Sequence, residues 1–305
     1  DGHSRHISRL PIVIGALLGY LALHAGRMSS LLGTTTNTLV LYADRHDFLL
    51  EWGRASVQHC AALIFVWVCS VATHVYANPF TLADGCNHVG NDWLGTAAFA
   101  IGSGAFTALS CCLLHVVLML GMMVDQFCVR FFVNPDFAGG VGEWNVLQAI
   151  LRRAAGVMDN SFLVLQTTTL VYLLLLATEI MTIFSEERIF GRINGCGASM
   201  YAAEVVCARL LPLPMMVLSA YSIFFRAASV SEKCSRVPAL VNSIMMDEQI
   251  HEERQYVVQY ITNSAAGFYV KDVRLSMAML LKASYFTGVC VFVLITRVVS
   301  DGSGY

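Results

Sequence analysis

Six long apolar segments constrain this fold more than any other feature, and none of them contains more than two charged residues. They cover residues 10–26, 55–76, 95–124, 161–184, 204–225 and 275–296. A helix needs about 20 apolar residues to cross the ~30 Å hydrocarbon core of a bilayer. Barrel strands would alternate in polarity, whereas these segments are apolar on all sides. The sequence therefore predicts an all-α polytopic transmembrane bundle with six spans, or seven if another precedes Asp1.

The composition and the basic residues support this assignment and orient the chain. Charged residues make up only 13% of the 305 residues, against about 25% in an ordinary soluble domain. The connections between the spans alternate in Lys and Arg content, with twelve basic residues on one side and five on the other. Because basic loops are retained in the cytoplasm, we expect the C-terminus to be extracellular or lumenal.

Two of the cytoplasmic connections are amphipathic. Residues 143–159 and 237–261 carry apolar side chains at helical spacing, and 37–52 is a weaker third case. Helices that lie on a membrane surface are usually rich in Lys and Arg, whereas the second segment is acidic. We therefore expect cytoplasmic helical extensions that pack against each other as a layer below the membrane.

Three short motifs in this order resemble the insect gustatory and odorant receptor superfamily and its gustatory-receptor-like relatives. Asn160–Phe162 is similar to the family's Asn-x-Phe-Gly entry into its fifth span. Ala266–Asp272 resembles the Gly-Phe-x-x-x-Asp approach to the seventh span, and Leu281–Phe286 lies where the family has Thr-Tyr or Lys-x-Ser-Tyr. The chain departs from the family at Phe292–Val293, where a Gln-Phe pair would stand.

The resemblance implies a homotetrameric, ligand-gated, non-selective cation channel in the plasma membrane, whose last span lines the pore. A cytoplasmic layer would join the subunits, and a small-molecule ligand would bind in an outer pocket. On the last span one stripe at spacings of three and four would form the hydrophobic gate; it comprises Tyr285, Val289, Phe292, Val293 and Thr296. An ordinary stripe facing lipid or the bundle has the same pattern.

Charged residues inside the spans are the other candidates for function, because burying a charge in hydrocarbon is costly. Lys282 could face a pore or pocket, reach the inner headgroups with its long side chain, or hold retinal as a Schiff base. Glu179, Glu204 and Arg209 are expected at similar depth on antiparallel spans. They could form a structural ion pair or the wall of a ligand pocket.

Other functional classes find little support in the sequence. No metal-ligand spacing, nucleophile–base pair or phosphate-binding loop stands out, so we expect neither an enzyme nor a cofactor. The net charge of −2 gives no reason to expect nucleic acid. Cys86 and Cys196 lie in the two predicted outer loops and could pair in an oxidising compartment. The alternative hypothesis is a non-catalytic membrane subunit of a respiratory or photosynthetic complex, located in an organelle membrane.

Overall fold

The architecture was obtained as a computed structural model, which describes residues 36–80, 93–190, 211–244 and 252–302. In these ranges the chain is helical apart from short turns and one two-stranded hairpin. The elements are α1 Thr36–Arg45, α2 Leu49–Phe80, α3 Trp93–Val133, α4 Phe137–Phe190, α5 Pro212–Ser243, α6 Glu252–Asn263, β1 Tyr269–Val270, β2 Val273–Arg274 and α7 Met277–Gly302. The prediction of an all-α fold is confirmed.

Helix α3 forms the centre of the bundle and packs against α2, α4 and α5. One stretch of it, from Met119 to Val124, is almost completely buried except at Met122. Helix α2 lies outside α3 and exposes large apolar side chains such as Leu50 and Phe65. Within the described ranges, Leu49–Tyr76 and Thr96–Val133 are the two helical stretches long and apolar enough to cross a membrane.

The segments predicted as spans fall on the long helices wherever the structure describes them. Residues 55–76 lie in α2, 95–124 in α3 and 161–184 in α4, and 277–296 of the last segment lie in α7. The segment 204–225 enters the described ranges at residue 211, and α5 begins at Pro212, where a proline is tolerated because it removes no intrahelical hydrogen bond. The segment 10–26 lies outside the described residues.

The amphipathic segments differ from their expected form. Residues 143–159 run without a break into 161–184, so that both belong to the 54-residue helix α4. The segment 237–261 is not one helix: α5 ends at Ser243, Ile244 has an extended backbone with ψ 113°, and α6 begins at Glu252. The weaker segment 37–52 is likewise divided between α1 and α2, since Asp47 adopts a left-handed φ of 59°.

We use the term lower layer for α1, residues 137–159 of α4, residues 226–243 of α5, and α6. Charged side chains are frequent there, and one cluster joins two of its segments, α1 and α4, to the end of α3. Arg130, near the end of α3, forms an ion pair with Glu143 of α4. The same guanidinium lies 2.6 Å from Nδ1 of His46 and donates to the hydroxyl of Tyr42 at 3.3 Å. This cluster ties α1 to the α3–α4 turn.

Candidate functional site

Among the residues that the structure describes, few lie against the last helix, α7. Its start is held by the buried side chains of Leu275 and Leu280. Beyond Leu280, almost every side chain that the structure describes up to residue 296 is exposed. Tyr285 is 76% exposed, Phe286 69% and Phe292 66%. An apolar helix that is bare on several sides must be covered by lipid or by another protein chain.

The five predicted gate residues all lie on this bare part of α7. Tyr285, Val289, Phe292 and Val293 are exposed large apolar residues, and Thr296 is exposed with its hydroxyl donating to the carbonyl of Val293 at 3.0 Å. Successive helical residues are rotated by about 100°. The exposed surface of α7 is therefore wider than the single predicted stripe.

Lys282 is also exposed on α7, and its charge lies on the same bare surface. The predicted pocket residues cannot be placed: Glu204 and Arg209 lie outside the described residues, as does the side chain of Glu179. The same is true of Cys86 and Cys196. Within the described ranges, no three His, Cys, Asp or Glu side chains are arranged to hold a metal ion.

The base of α7 is fixed by the hairpin that precedes it, and Ser231 of α5 is the residue that holds the hairpin. The hydroxyl of Ser231 accepts a hydrogen bond from the backbone N–H of Phe268 at 2.9 Å. Its carbonyl accepts one from the guanidinium of Arg274 at 2.9 Å. A side chain at Gly267 would be crowded, because its Cβ would lie 2.8 Å from Nε of Arg274 and 3.2 Å from the hydroxyl of Ser231, so that Arg274 would have to shift.

A second attachment of the hairpin comes from α4. The carboxylate of Asp159 accepts a hydrogen bond from the backbone N–H of Lys271 at 2.5 Å and pairs with its ammonium at 3.2 Å. Lys271 and Asp272 form the two-residue turn, with left-handed φ values of 47° and 62°. Such turns match the twist of a two-stranded hairpin. The start of α7 is thereby tied to both α4 and α5.

Two of the sequence motifs meet at this attachment point. Phe162, in the Asn160–Phe162 motif, lies with its ring centroid 5.0 Å from that of Phe268, in the Ala266–Asp272 motif. Phe224 of α5 approaches Phe162 edge-on at 5.8 Å. Phe162 and Phe268 are completely buried. The motifs therefore build one aromatic cluster beneath α7, which explains why an aromatic residue stands at both positions.

Helix α6 is held against α4 by a ladder of three side chains on one face of α4. Trp144, Gln148 and Arg152 are spaced four residues apart and all bind Ser264, at the end of α6. The indole of Trp144 donates to the Ser264 hydroxyl at 2.9 Å. Gln148 and Arg152 donate to the Ser264 carbonyl at 2.5 and 3.4 Å. The ladder satisfies a carbonyl that the end of a helix leaves without an intrahelical partner.

Two side chains that contact Arg130, His46 and Tyr42, have shifted pKa values. Burial, together with the nearby Arg130 guanidinium, lowers the pKa of His46 below its ordinary 6.5. Burial raises the pKa of Tyr42 above 10.0, against the opposing charge of Arg130. Burial and the Arg130 charge both favour the neutral imidazole of His46. A neutral ring nitrogen is what the Arg130 N–H groups require as an acceptor.

Comparison with known proteins adds a solved structure. No family model and no curated protein matches the chain. The structure of the insect olfactory receptor OR5 from Machilis hrabei in complex with eugenol is similar, with a TM-score of 0.53 and 11% sequence identity, covering 95% of this chain and 82% of that one. At this identity the likeness shows the fold. The expected resemblance to insect chemoreceptors is confirmed at that level.

The fold and the apolar helices together define a class: a helical integral membrane protein with the architecture of an insect olfactory receptor. The solved structure with which it shares that architecture is a receptor rather than an enzyme.

Proposed function

We propose that this chain is a subunit of a chemoreceptor-like, ligand-gated, non-selective cation channel, and that α7 lines its pore. The observation that carries the proposal is the bare apolar surface of α7, with Tyr285 and Phe292 among its most exposed residues. The receptor-like fold favours this hypothesis over a non-catalytic subunit of a respiratory or photosynthetic complex. A homotetramer in the plasma membrane, with an extracellular C-terminus, follows from the same resemblance.

In this proposal each α7 faces the other copies across a central axis. Tyr285, Val289, Phe292, Val293 and Thr296 form the constriction, which closes by excluding water from a narrow apolar passage. A stripe that faces the pore leaves other exposed residues, such as Phe286, to contact a neighbouring subunit or lipid. The family's Gln-Phe pair is replaced by Phe292–Val293, so this gate would be apolar where related channels carry an amide.

The remaining parts have matching roles. The lower layer would join the subunits, and the hairpin would transmit its movements to α7, because the same hairpin is bound to Asp159 of α4 and Ser231 of α5. A small-molecule ligand would bind among the outer halves of the other spans, with Glu179, Glu204 and Arg209 as candidate pocket residues. Lys282 would lie near the inner mouth of the pore.

The decisive experiment is patch-clamp recording of the expressed chain against a panel of small molecules, combined with cysteine accessibility. Cys290 lies exposed on α7, so the background should be Cys290→Ser. In that background Val289→Cys and Phe292→Cys should let a thiol reagent block the current. Leu174→Cys is the control, because Leu174 is 67% exposed on α4 and outside the proposed pore.

Two results would contradict the proposal. Currents that persist after reagent treatment in both α7 variants would remove the pore assignment. Purification of the chain only as a minor component beside several unrelated chains would favour the alternative hypothesis. The proposal expects a homotetramer whose α7 helices surround one axis, and particle images of the purified chain would test that directly.

A further inference from the structure

A polar cleft lies in the lower layer between α4 and α6, away from the proposed pore and outer pocket. Its volume is about 510 Å³, within the range of small-molecule sites. It is lined by Gln148 and Arg152 of α4 and by Tyr256, Gln259 and Asn263 of α6, among others. None of the described residues that line it is acidic. Arg152 is therefore the only formal charge on its walls as the structure describes them.

The cleft offers several hydrogen-bond donors that the protein does not use itself. Arg152 gives one long bond, at 3.4 Å, to Ser264, whereas a guanidinium has five N–H donors in a planar fork. Within the described part of the chain, the side-chain amides of Gln259 and Asn263 have no hydrogen-bond partner. A planar fork flanked by amide donors suits an anion with several oxygen atoms.

The C-terminal end of α6 lies at the same cleft, and the partial negative charge of the helix dipole there acts against an anion. A helix C-terminus carries about half a negative charge, which opposes an anion. Gln148 and Arg152 already donate to the exposed carbonyl of Ser264. The full positive charge of Arg152 exceeds the partial charge of the helix end. Among the described lining residues the balance of charge is therefore positive.

An aromatic surface forms another wall. Tyr256 is 60% exposed and lies over Tyr260 with ring centroids 6.2 Å apart and an interplanar angle of 27°. The hydroxyl of Tyr260 donates to Asn145 of α4 at 2.6 Å, which fixes the lower ring. The exposed ring of Tyr256 therefore lines the cleft beside the fixed ring of Tyr260. A planar ring can stack on it at little entropic cost.

The distance of the cleft from the predicted membrane boundary favours a dissolved ligand over a lipid headgroup. Arg152 precedes the apolar segment that begins at residue 161 on the same continuous helix. At 1.5 Å per residue it lies roughly 14 Å beyond the start of that segment. With the hydrocarbon boundary predicted at residue 161, a lipid phosphate would lie closer to the bilayer than the guanidinium does. A dissolved molecule meets no such restriction.

We propose that this cleft is a second binding site, which takes a small planar aromatic anion such as an aryl phosphate. The anionic group lies on Arg152 with the amides of Gln259 and Asn263, and the ring stacks on Tyr256. The bound molecule bridges α4 and α6 beside Ser264 and stabilises their contact. Neither binding nor its consequence for α6 depends on the channel activity proposed above.

The test is equilibrium binding to the full chain, purified in lipid nanodiscs, with phenyl phosphate, inorganic phosphate and phenol as probes. Phenyl phosphate should bind more tightly than either fragment and should raise the melting temperature. Arg152→Gln should weaken its binding by about tenfold or more, as expected for a hydrogen-bonded charge. Tyr256→Leu should weaken it by about threefold to tenfold.

The control is Arg236→Gln, which removes the same charge from a residue that does not line the cleft and is paired with Glu232. Arg152→Gln retains the other two rungs of the Ser264 ladder, so the variant should fold, and its melting curve verifies this. Equal affinity of phenyl phosphate for the wild-type protein and Arg152→Gln would overturn the proposal. So would the absence of phenyl phosphate binding, or equal binding of phosphate and phenyl phosphate.

Discussion

Replacing Phe162 with leucine tests the aromatic cluster that supports the start of α7. Phe162 is completely buried and contacts the rings of Phe268 and Phe224 at 5.0 and 5.8 Å. Each such ring pair contributes about 0.5–1.5 kcal/mol beyond its buried area. Losing both pairs should therefore cost about 1–3 kcal/mol, and Phe162→Ala, which also leaves a cavity, about 3–5 kcal/mol.

The assay is thermal unfolding of the purified chain, followed by tryptophan fluorescence. At about 2–4 °C per kcal/mol, Phe162→Leu should lower the melting temperature by roughly 2–12 °C. Phe132→Leu is the matched control, because Phe132 is 61% exposed on α3 and its replacement should change stability by less than about 0.5 kcal/mol. A double-mutant cycle with Phe268→Leu should give a coupling of about 0.5–1.5 kcal/mol.

The reasoning would be refuted by equal melting temperatures for Phe162→Leu and Phe132→Leu. It would also be refuted by additive effects of Phe162→Leu and Phe268→Leu, since additivity would mean that the two rings do not stabilise each other.

Three further predictions concern the lower layer and the hairpin, and all are read by melting temperature. Gly267→Ala should destabilise the chain by about 1–3 kcal/mol through overpacking. The control, Gly156→Ala, lies on an open face of α4 and should stabilise the chain by about 0.5–1 kcal/mol. Equal changes in melting temperature for the two variants would contradict this prediction. Ser264→Ala should cost about 1–3 kcal/mol, because it leaves the buried indole N–H of Trp144 without a partner, and an unchanged melting curve would show that the Trp144 hydrogen bond does not stabilise the contact between α4 and α6. The pKa of His46 in the folded chain lies below 6.5, so the unfolded chain binds the proton at a higher pH than the folded chain does. The free energy of unfolding should therefore fall as the pH drops below about 6.5. His46→Gln should make this dependence of stability on pH less steep.

The long helices could be predicted from the sequence because their apolar composition is a local property. At Asn160 the sequence pattern changes from amphipathic, in residues 143–159, to mostly apolar, in residues 161–184. This change predicts two separate helices. Helix α4 continues through this point, because the change of pattern marks a change of surroundings rather than a break in the backbone. Conversely, α5 ends at Ser243 without a glycine or proline to mark the end, after passing through Pro238.

The hairpin before α7 could not be predicted for a related reason. Two-residue turns of this kind favour Asn-Gly or Asp-Gly, whereas this chain has Lys271 and Asp272. Their left-handed backbone is held by distant partners, among them Asp159. Ser231 and Ser264 were also missed, because a single serine carries no pattern and its partners lie more than thirty residues away. The aromatic residues of the two motifs were visible in the sequence, but not their contact.

The length of α4 has a mechanical consequence. A continuous helix of 54 residues is about 80 Å long, more than twice the thickness of a ~30 Å hydrocarbon core. Because no turn interrupts this helix, no flexible loop lies between its two ends to absorb a tilt or an axial rotation. A rotation imposed at Trp144 would be carried along the same helix past Phe162 and, in the proposed topology, to the far side of the bilayer.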